Sequence, residues 1–333
     1  MPDQSVEALR QAAASGDVLA LTRLGEALLR SGAPKDVLEA AAALDQATRD
    51  GGVEAPAMLA AIFALGAAGI ENWTAALDLL RIGAERGSSV AQGQLVVLAG
   101  SAAASHDAGR PDHWHILRES ISPEAWFDPG PRRILSRSPQ VYLHDPFASA
   151  AVCEWIIGRA EGRVTRALVY DPDAAGLRLE DARDNGAFAF DLVEMDVVMA
   201  MLRRRMAAAT GVDPAALEPP QALHYRPGQR FEPHFDFLDP ALPGHAADLA
   251  RHGQRIATGL VYLNSGFEGG ETDFPILGQR HRPPAGAALC FVNVQSSGLP
   301  DRRTLHAGLA PTSGEKWLLS QWIRDRPRVD RAP

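Results

Sequence analysis

Residues 230–240 read RFEPHFDFLDP. In an extended strand, successive side chains point to opposite faces, so His234 and Asp236 share one side and Phe235 and Phe237 the other. One face is then polar and able to bind a metal, and the other is apolar and able to anchor in a core. An ordinary surface strand with a polar outer face alternates in the same way, so both readings stand until other residues join them. Of the ten histidines in the chain, only His234 has an aspartate two residues later.

His306, in RTLHAGLAP, lies far downstream on a separate predicted strand. Two imidazoles and one carboxylate make a facial set that holds Fe(II) on one side and leaves positions open for chemistry. Shortly after His306 stands Lys316, in SGEKWLLSQW. The chain has 33 basic residues, yet only Lys35 and Lys316 are lysines. An ammonium is a compact point charge on a long stem. Close to such an iron it suits the far carboxylate of a keto-acid cosubstrate.

The composition bounds the rest. With 333 residues the chain is long enough for two domains. Its hydrophobic fraction of 46% and charged fraction of 22% are those of a soluble globular protein. A net charge of −8 argues against a nucleic-acid binder, which would show a basic surface. No apolar run is long enough for a membrane span, and the first residues show no secretory leader. Cys153 and Cys290 have no metal-type spacing and read as buried free thiols in a reducing compartment. A cytoplasmic location is the expectation.

The first hundred residues repeat. GDVLALTRL begins at Gly16, GGVEAPAML at Gly51 and GSSVAQGQL at Gly87. Ala20, Ala55 and Ala91 fall in register, as do Leu24, Leu59 and Leu95. Small residues let paired helices approach, leucines fill the seam, and a period in the mid-thirties is the mark of an α-solenoid. The alternative is a helical cap on the next domain. Residues 101–140, with scattered prolines and glycines, read as a linker with short helices. Within it, His113 and His115 have no carboxylate or cysteine partner nearby at ligand spacing and fit a surface segment. PFASAAVCEWIIGRA then reads as a helix with Val152, Trp155 and Ile156 on its apolar stripe. DLVEMDVVMAMLRRRMAAATG reads as a second helix, with Asp191 as its N-cap and Gly211 near its end. After Pro220, six short strands follow: QALHYR, RFEPHFDF, RIATGLVYLN, GAALCFV, RTLHAG and KWLLSQWIR. EGGET, at 268–272, reads as a turn, and DPALPGHAADLARHG as a loop-like insertion placed to act as a lid.

The ordered blocks HYRPGQRFEPHFDF, GQRIATGLVYLN, FEGGETDFP, RPPAGAALCFVN and RTLHAGLAPTSGEKWLLSQWIR resemble the 2-oxoglutarate- and Fe(II)-dependent oxygenases of the prolyl 4-hydroxylase-like family. The likeness runs over residues 221–324. The repeats over about 8–100 resemble Sel1-like repeats, relatives of the tetratricopeptide repeats. Together these imply an α+β protein: an N-terminal α-solenoid (1–100), a linker (101–140), a double-stranded β-helix (jelly-roll) oxygenase domain with flanking helices (141–325) and a tail (326–333).

The resemblance further implies iron on His234, Asp236 and His306, and 2-oxoglutarate paired with Lys316. Tyr225 matches a tyrosine that reaches the cosubstrate, or is a core tyrosine at a strand start. Arg255 matches a peptide-binding residue, or forms a surface ion pair. Trp322 matches a pocket wall, or is core. Phe231 stands where the family often has tyrosine, which bears on the substrate and leaves the iron chemistry untouched. The implied activity is hydroxylation of a C–H bond, most simply of a peptidyl proline, with succinate and CO2 as coproducts and ascorbate as a possible reductant. Hydroxylation of a free amino acid or other small molecule is one alternative. A repeat-based adaptor with an inactive oxygenase domain is another. The implied partners are a protein or peptide substrate and a protein docked on the repeats, with neither nucleic acid nor membrane.

Overall fold

The computed structural model describes residues 5–105, 109–170, 177–178 and 182–327. The expected tail falls outside them from residue 328 onward. The chain forms two compact units. One holds the residues up to Phe127 together with Asp191–Arg204; the other holds Asp128–Phe190 and the chain from Arg205 to the last described residue, 327.

The first unit is helical: Val6–Ala13, Val18–Ser31, Pro34–Arg49, Ala55–Leu65, Trp73–Glu85 and Ser89–Ala99, followed by shorter helices. The repeating glycines recur in one conformation. Gly16, Gly51 and Gly87 have φ of 81°, 91° and 92°, a region glycine enters at little cost. The chain turns there before a new helix starts. Asp17 and Ser88 then cap their helices, accepting from the backbone N–H of Ala20 and Ala91. Ala20, Ala55, Ala91, Leu24, Leu59 and Leu95 are all buried, which is why their register is visible in the sequence.

The helices Val18–Ser31 and Pro34–Arg49 approach closely because residue 25 has no side chain. A Cβ on Gly25 would lie 2.5 Å from Leu44 Cγ. Leu44 is fully buried in the core of this unit. Leu44→Ala is therefore expected to destabilise the unit by about 2–5 kcal/mol, read from its urea-unfolding transition.

The segment 191–211 differs from its expected single helix. Leu192–Glu194 is a short 3-10 turn, and the α-helix is Val197–Thr210. Asp196 caps it, accepting from the Met199 N–H at 2.7 Å, so the cap is Asp196 and not Asp191. Two aspartates precede the apolar run, and the one adjoining it takes the role. Gly211, with φ 72°, follows the last helical residue as expected.

The second unit is built on antiparallel strands. The large sheet runs in the order Arg132–Arg137, Gln140–His144, Ala288–Val292, Arg255–Tyr262, Lys316–Arg324, Gln221–Tyr225, Gly186–Ala189, Thr165–Arg166. A smaller sheet has the order Gln279–His281, Thr272–Phe274, His306–Gly308, Phe231–His234. Leu143, Leu223, Leu260, Leu289 and Leu318 of the large sheet and Phe274 of the small one belong to a single hydrophobic cluster, so the two sheets share a core. Helix Ala150–Ala160 buries Val152, Cys153 and Ile156, and Trp155 is half-buried. Gly259 makes room for Met206, whose Sδ would lie 2.5 Å from a Cβ at that position. Both cysteines are buried and unpaired.

Two expectations are corrected here. The large sheet begins inside the segment read as a linker, because Arg132–Arg137 pairs with Gln140–His144. This edge strand is mostly exposed and polar, so it carries no apolar alternation to betray it. The loop-like insertion after the histidine strand contains a helix, Pro243–His252. Pro243 at its start and the positive-φ Gly253 after its end are helix boundaries. They read equally well as loop punctuation. Among the described residues, no helix is long and apolar enough to cross a membrane.

Candidate metal centre

The strands Phe231–His234 and His306–Gly308 are antiparallel neighbours, and their register sets His234 directly opposite His306. The two rings lie 4.3 Å apart, centroid to centroid. The strand stops at His234, and Asp236 follows in a bend. Extended alternation nevertheless carries far enough for its carboxylate to reach the same side. Asp236 Oδ1 is 3.7 Å from His234 Nε2, and Oδ2 is 3.5 Å from His306 Nε2. One ligand atom from each of the three residues falls within 4.8 Å of the others.

The chemistry of these donors fits a divalent metal. His234 Nδ1 lies 2.8 Å from the carbonyl of Glu232, and His306 Nδ1 lies 3.0 Å from that of Thr304. A carbonyl can only accept, so each Nδ1 carries the proton and each Nε2 keeps its lone pair for a metal. Burial, then the neighbouring His306, pushes His234 down to about 3. That ring is therefore neutral, as a ligand must be. Burial alone would raise the Asp236 carboxyl, but His306, His234 and the Thr258 hydroxyl outweigh it and hold it below its ordinary value. Phe231 stacks on His234 with centroids 3.5 Å apart. It fixes the ring with an apolar face and offers no hydroxyl.

His234 and Asp236 line two cavities, and His306 lines the smaller of them. The inner chamber is lined by Tyr225, Thr272, His306, Gly308 and Lys316. Lys316 is wholly buried and donates to the Gly270 carbonyl at 2.6 Å. Its nitrogen sits 4.9 Å from the Tyr225 ring centre and 5.4 Å from that of Tyr262. Burial lowers the ammonium to about 7, and Glu271 resists that shift only partly. Of EGGET, only Gly270 and Glu271 lie between strands, Phe267–Gly269 and Thr272–Phe274, and Gly269 and Gly270 have the expected positive φ. Gly308 leaves room for the Tyr225 phenol, because a Cβ there would stand 3.1 Å from its oxygen.

The outer cleft, of about 610 Å³, is lined by Phe231, Phe235, Arg255, Trp322, Arg183 and His245 among others. Arg255 and Trp322 thus meet at one wall, with the guanidinium 3.8 Å above the indole ring. The ion pair of Arg255 is buried and not on the surface: it binds Glu218 through two hydrogen bonds of 2.6 and 2.9 Å. Burial alone would raise Glu218, but Arg255 and Arg324 hold it down at about 2. Arg324 also donates to Asp248 of helix Pro243–His252 at 2.7 Å and to the Gly253 carbonyl at 2.6 Å.

Several residues of this site carried no signal in the sequence. Arg183 is 3% exposed, lines both cavities and has one guanidinium nitrogen without a hydrogen-bond partner among the described residues. It sits on an isolated bridge opposite Phe231, in a stretch with neither period nor motif. Thr272, in the inner chamber, shares a 2.7 Å hydrogen bond with Tyr262 and opens strand Thr272–Phe274, where the sequence reads as a turn. Thr258 reads as an ordinary strand residue, and Asn293 follows the predicted strand GAALCFV with no motif of its own. His113, buried against Trp114, belongs to no cluster of potential metal ligands among the described residues.

The profile of the 2OG-Fe(II) oxygenase superfamily matches residues 220–324. That span contains all three candidate ligands and Lys316. Probable prolyl 4-hydroxylase 6 of Arabidopsis thaliana is 31% identical over 221 residues, covering 60% of this chain and 75% of that protein. The chain belongs to the 2OG-Fe(II) oxygenase superfamily. Probable prolyl 4-hydroxylase 7 of the same plant is 32% identical to this chain over 215 residues, 59% of the chain and 66% of that relative. A viral collagen prolyl hydroxylase from Paramecium Bursaria Chlorella virus-1, solved as a 2OG complex, is 28% identical. Its superposition covers 55% of this chain and 94% of the viral one, with a TM-score of 0.41. Superfamily membership implies Fe(II) and 2-oxoglutarate, and the donor set of this chain suits that ion.

Proposed function

We propose that this oxygenase hydroxylates a prolyl residue of a peptide, using Fe(II), 2-oxoglutarate and O2 and releasing succinate and CO2. One observation carries the reading: His234, Asp236 and His306 line a small chamber together with a buried lysine, and His234 and Asp236 also line a larger cleft. His234, Asp236 and His306 are the metal ligands. Fe(II) held there supplies O2 activation coupled to oxidative decarboxylation of the cosubstrate. The chain's own residues bind and orient. Lys316 pairs with the far carboxylate of 2-oxoglutarate, and Tyr225 borders the same chamber.

In the cleft, Trp322 and Phe235 offer apolar walls to a pyrrolidine ring, with Arg255 bracing the indole. The Arg183 nitrogen that has no partner among the described residues is a donor for a substrate carbonyl. The core carrying these residues is proposed to be a double-stranded β-helix, with its domain spanning 141–325. The helical unit is proposed as a Sel1-like array that docks a protein partner. Ascorbate is proposed as the reductant that restores oxidised iron.

Succinate release, compared between proline-containing peptides and free amino acids, tests the substrate. Peptides are expected to stimulate turnover strongly, and Trp322→Ala to raise the peptide KM by roughly tenfold, the scale of a lost aromatic contact. Preference for a free amino acid would assign a small-molecule hydroxylase. An iron-loaded protein with no 2-oxoglutarate turnover under any condition would point to an adaptor.

A further inference from the structure

Asp236 is held from behind by a two-step relay. Thr258 Oγ1 donates to Asp236 Oδ2 at 2.7 Å, and Asn293 Nδ2 donates to Thr258 Oγ1 at 3.0 Å. Thr258 and Asn293 are both 0% exposed, so water does not substitute for either bond. The direction of the relay follows from chemistry alone. An ionised carboxylate can only accept, so the Thr258 proton points at Asp236. The hydroxyl oxygen must then accept, which obliges Asn293 to present its NH2 group and leaves its Oδ1 facing away. That Oδ1 is buried without a partner among the described residues.

The relay rests on a fixed frame. The Asn293 N–H donates to the Ile256 carbonyl at 2.8 Å, and its carbonyl accepts from Asp301 at 2.9 Å. Thr258 is in the middle of strand Arg255–Tyr262, paired with Phe291. Asp236 lies beyond the end of its own strand, where no ladder holds it. The two histidines each have a carbonyl to orient them. The carboxylate has Thr258.

We infer that Thr258 and Asn293 are positioning residues that hold the Asp236 carboxylate in its metal-binding orientation through a one-way hydrogen-bond relay. Neither touches the substrate or the reacting atoms. The Asn293 oxygen, without a partner among the described residues, is the cost of keeping that direction. The inference rests on the proposed metal site, and its test separates the two.

Co(II) is titrated anaerobically into the full-length protein, with visible absorption and heat as readouts, so that no turnover is needed. Thr258→Val keeps the shape of the side chain and removes the donor. It is expected to weaken Co(II) binding by about ten- to a hundredfold, the usual effect of losing a partner that orients a ligand. Thr258→Ser, which restores the hydroxyl, is expected to bind close to the parent. Asn293→Ala frees the hydroxyl to turn and is expected to cost about tenfold.

Parent-like binding by Thr258→Val, or a Thr258→Ser protein as weak as Thr258→Val, overturns the relay while leaving the metal site standing. Should Thr258→Val fail to fold, Asn293→Ala decides, and parent-like binding there overturns the inference. A parent that binds Co(II) no better than His234→Ala removes the metal site itself, and the relay falls with it.

Discussion

His234→Ala and Asp236→Ala are each expected to abolish iron-dependent succinate formation and to weaken Fe(II) binding by more than about a hundredfold. The bound is set by comparison. Removing a partner that only orients a ligand costs about ten- to a hundredfold, and these substitutions remove the ligand itself. With three protein donors, a loss leaves two, too few to hold the ion on one face while the remaining positions exchange. The variants differ in what else they disturb. His234 keeps 21% of its side-chain surface exposed, so alanine there leaves the fold intact. Asp236 is 5% exposed and partners Thr258. Its loss strands a buried hydroxyl but also removes a buried charge, and the apo protein should melt close to the parent. Anaerobic Fe(II) titration with a parallel melting curve checks both. Full turnover by either variant would place the metal elsewhere.

How much of this was legible before the fold was known depended on where each residue draws its constraint. His234 and Asp236 could be found because the spacing of two is a strand property, readable within three residues. His306 and Lys316 could be joined to them because the blocks around them are ordered like those of a known family. The repeat register was readable because Leu24, Leu59 and Leu95 meet the same packing demand in each turn. Arg183, Glu218 and Thr258 were silent for the opposite reason. Each owes its role to partners remote in the chain: Phe231 beside Arg183, Arg255 beside Glu218, Asp236 beside Thr258. A local pattern cannot encode such a partner. Helix Pro243–His252 was missed for a third reason. Its proline and glycine boundaries punctuate loops and helices alike, and ten residues are too few for a period to decide between them.

Lys316→Ala is expected to weaken 2-oxoglutarate binding by about ten- to a hundredfold and to leave iron binding intact. A charge-assisted hydrogen bond contributes about 1.5–3 kcal/mol, which converts to that range. The lysine is not a ligand, so the metal should remain. Its environment adds a second, sharper expectation. Burial lowers the ammonium to about 7 in the ligand-free protein, with Glu271 opposing, while the groups around it, Tyr225, Tyr262 and the Gly270 carbonyl, are uncharged. Because the folded value lies below the ordinary 10.5, the unfolded chain binds more protons between about 7 and 10.5. The stability penalty from this lysine is full below 7 and is relieved as pH rises through that window. Cosubstrate binding runs the other way. The carboxylate favours the ammonium, so above pH 7 binding must draw in a proton, and affinity should fall with rising pH by up to tenfold per unit. Titrating 2-oxoglutarate into anaerobic, iron-loaded protein at pH 6.5 and 8.5, in buffers of different ionisation heat, measures both the slope and the proton. Lys316→Ala should lose the affinity and the slope together. Lys316→Arg should keep a charge but fit poorly, because the chamber closes on the lysine stem: a Cβ at Gly270 would already stand 3.3 Å from Lys316 Cδ. If the alanine variant bound 2-oxoglutarate as tightly as the parent, with the same pH slope, the carboxylate would be anchored by another cation. Arg183, on the wall shared by both cavities, would then be the first to replace.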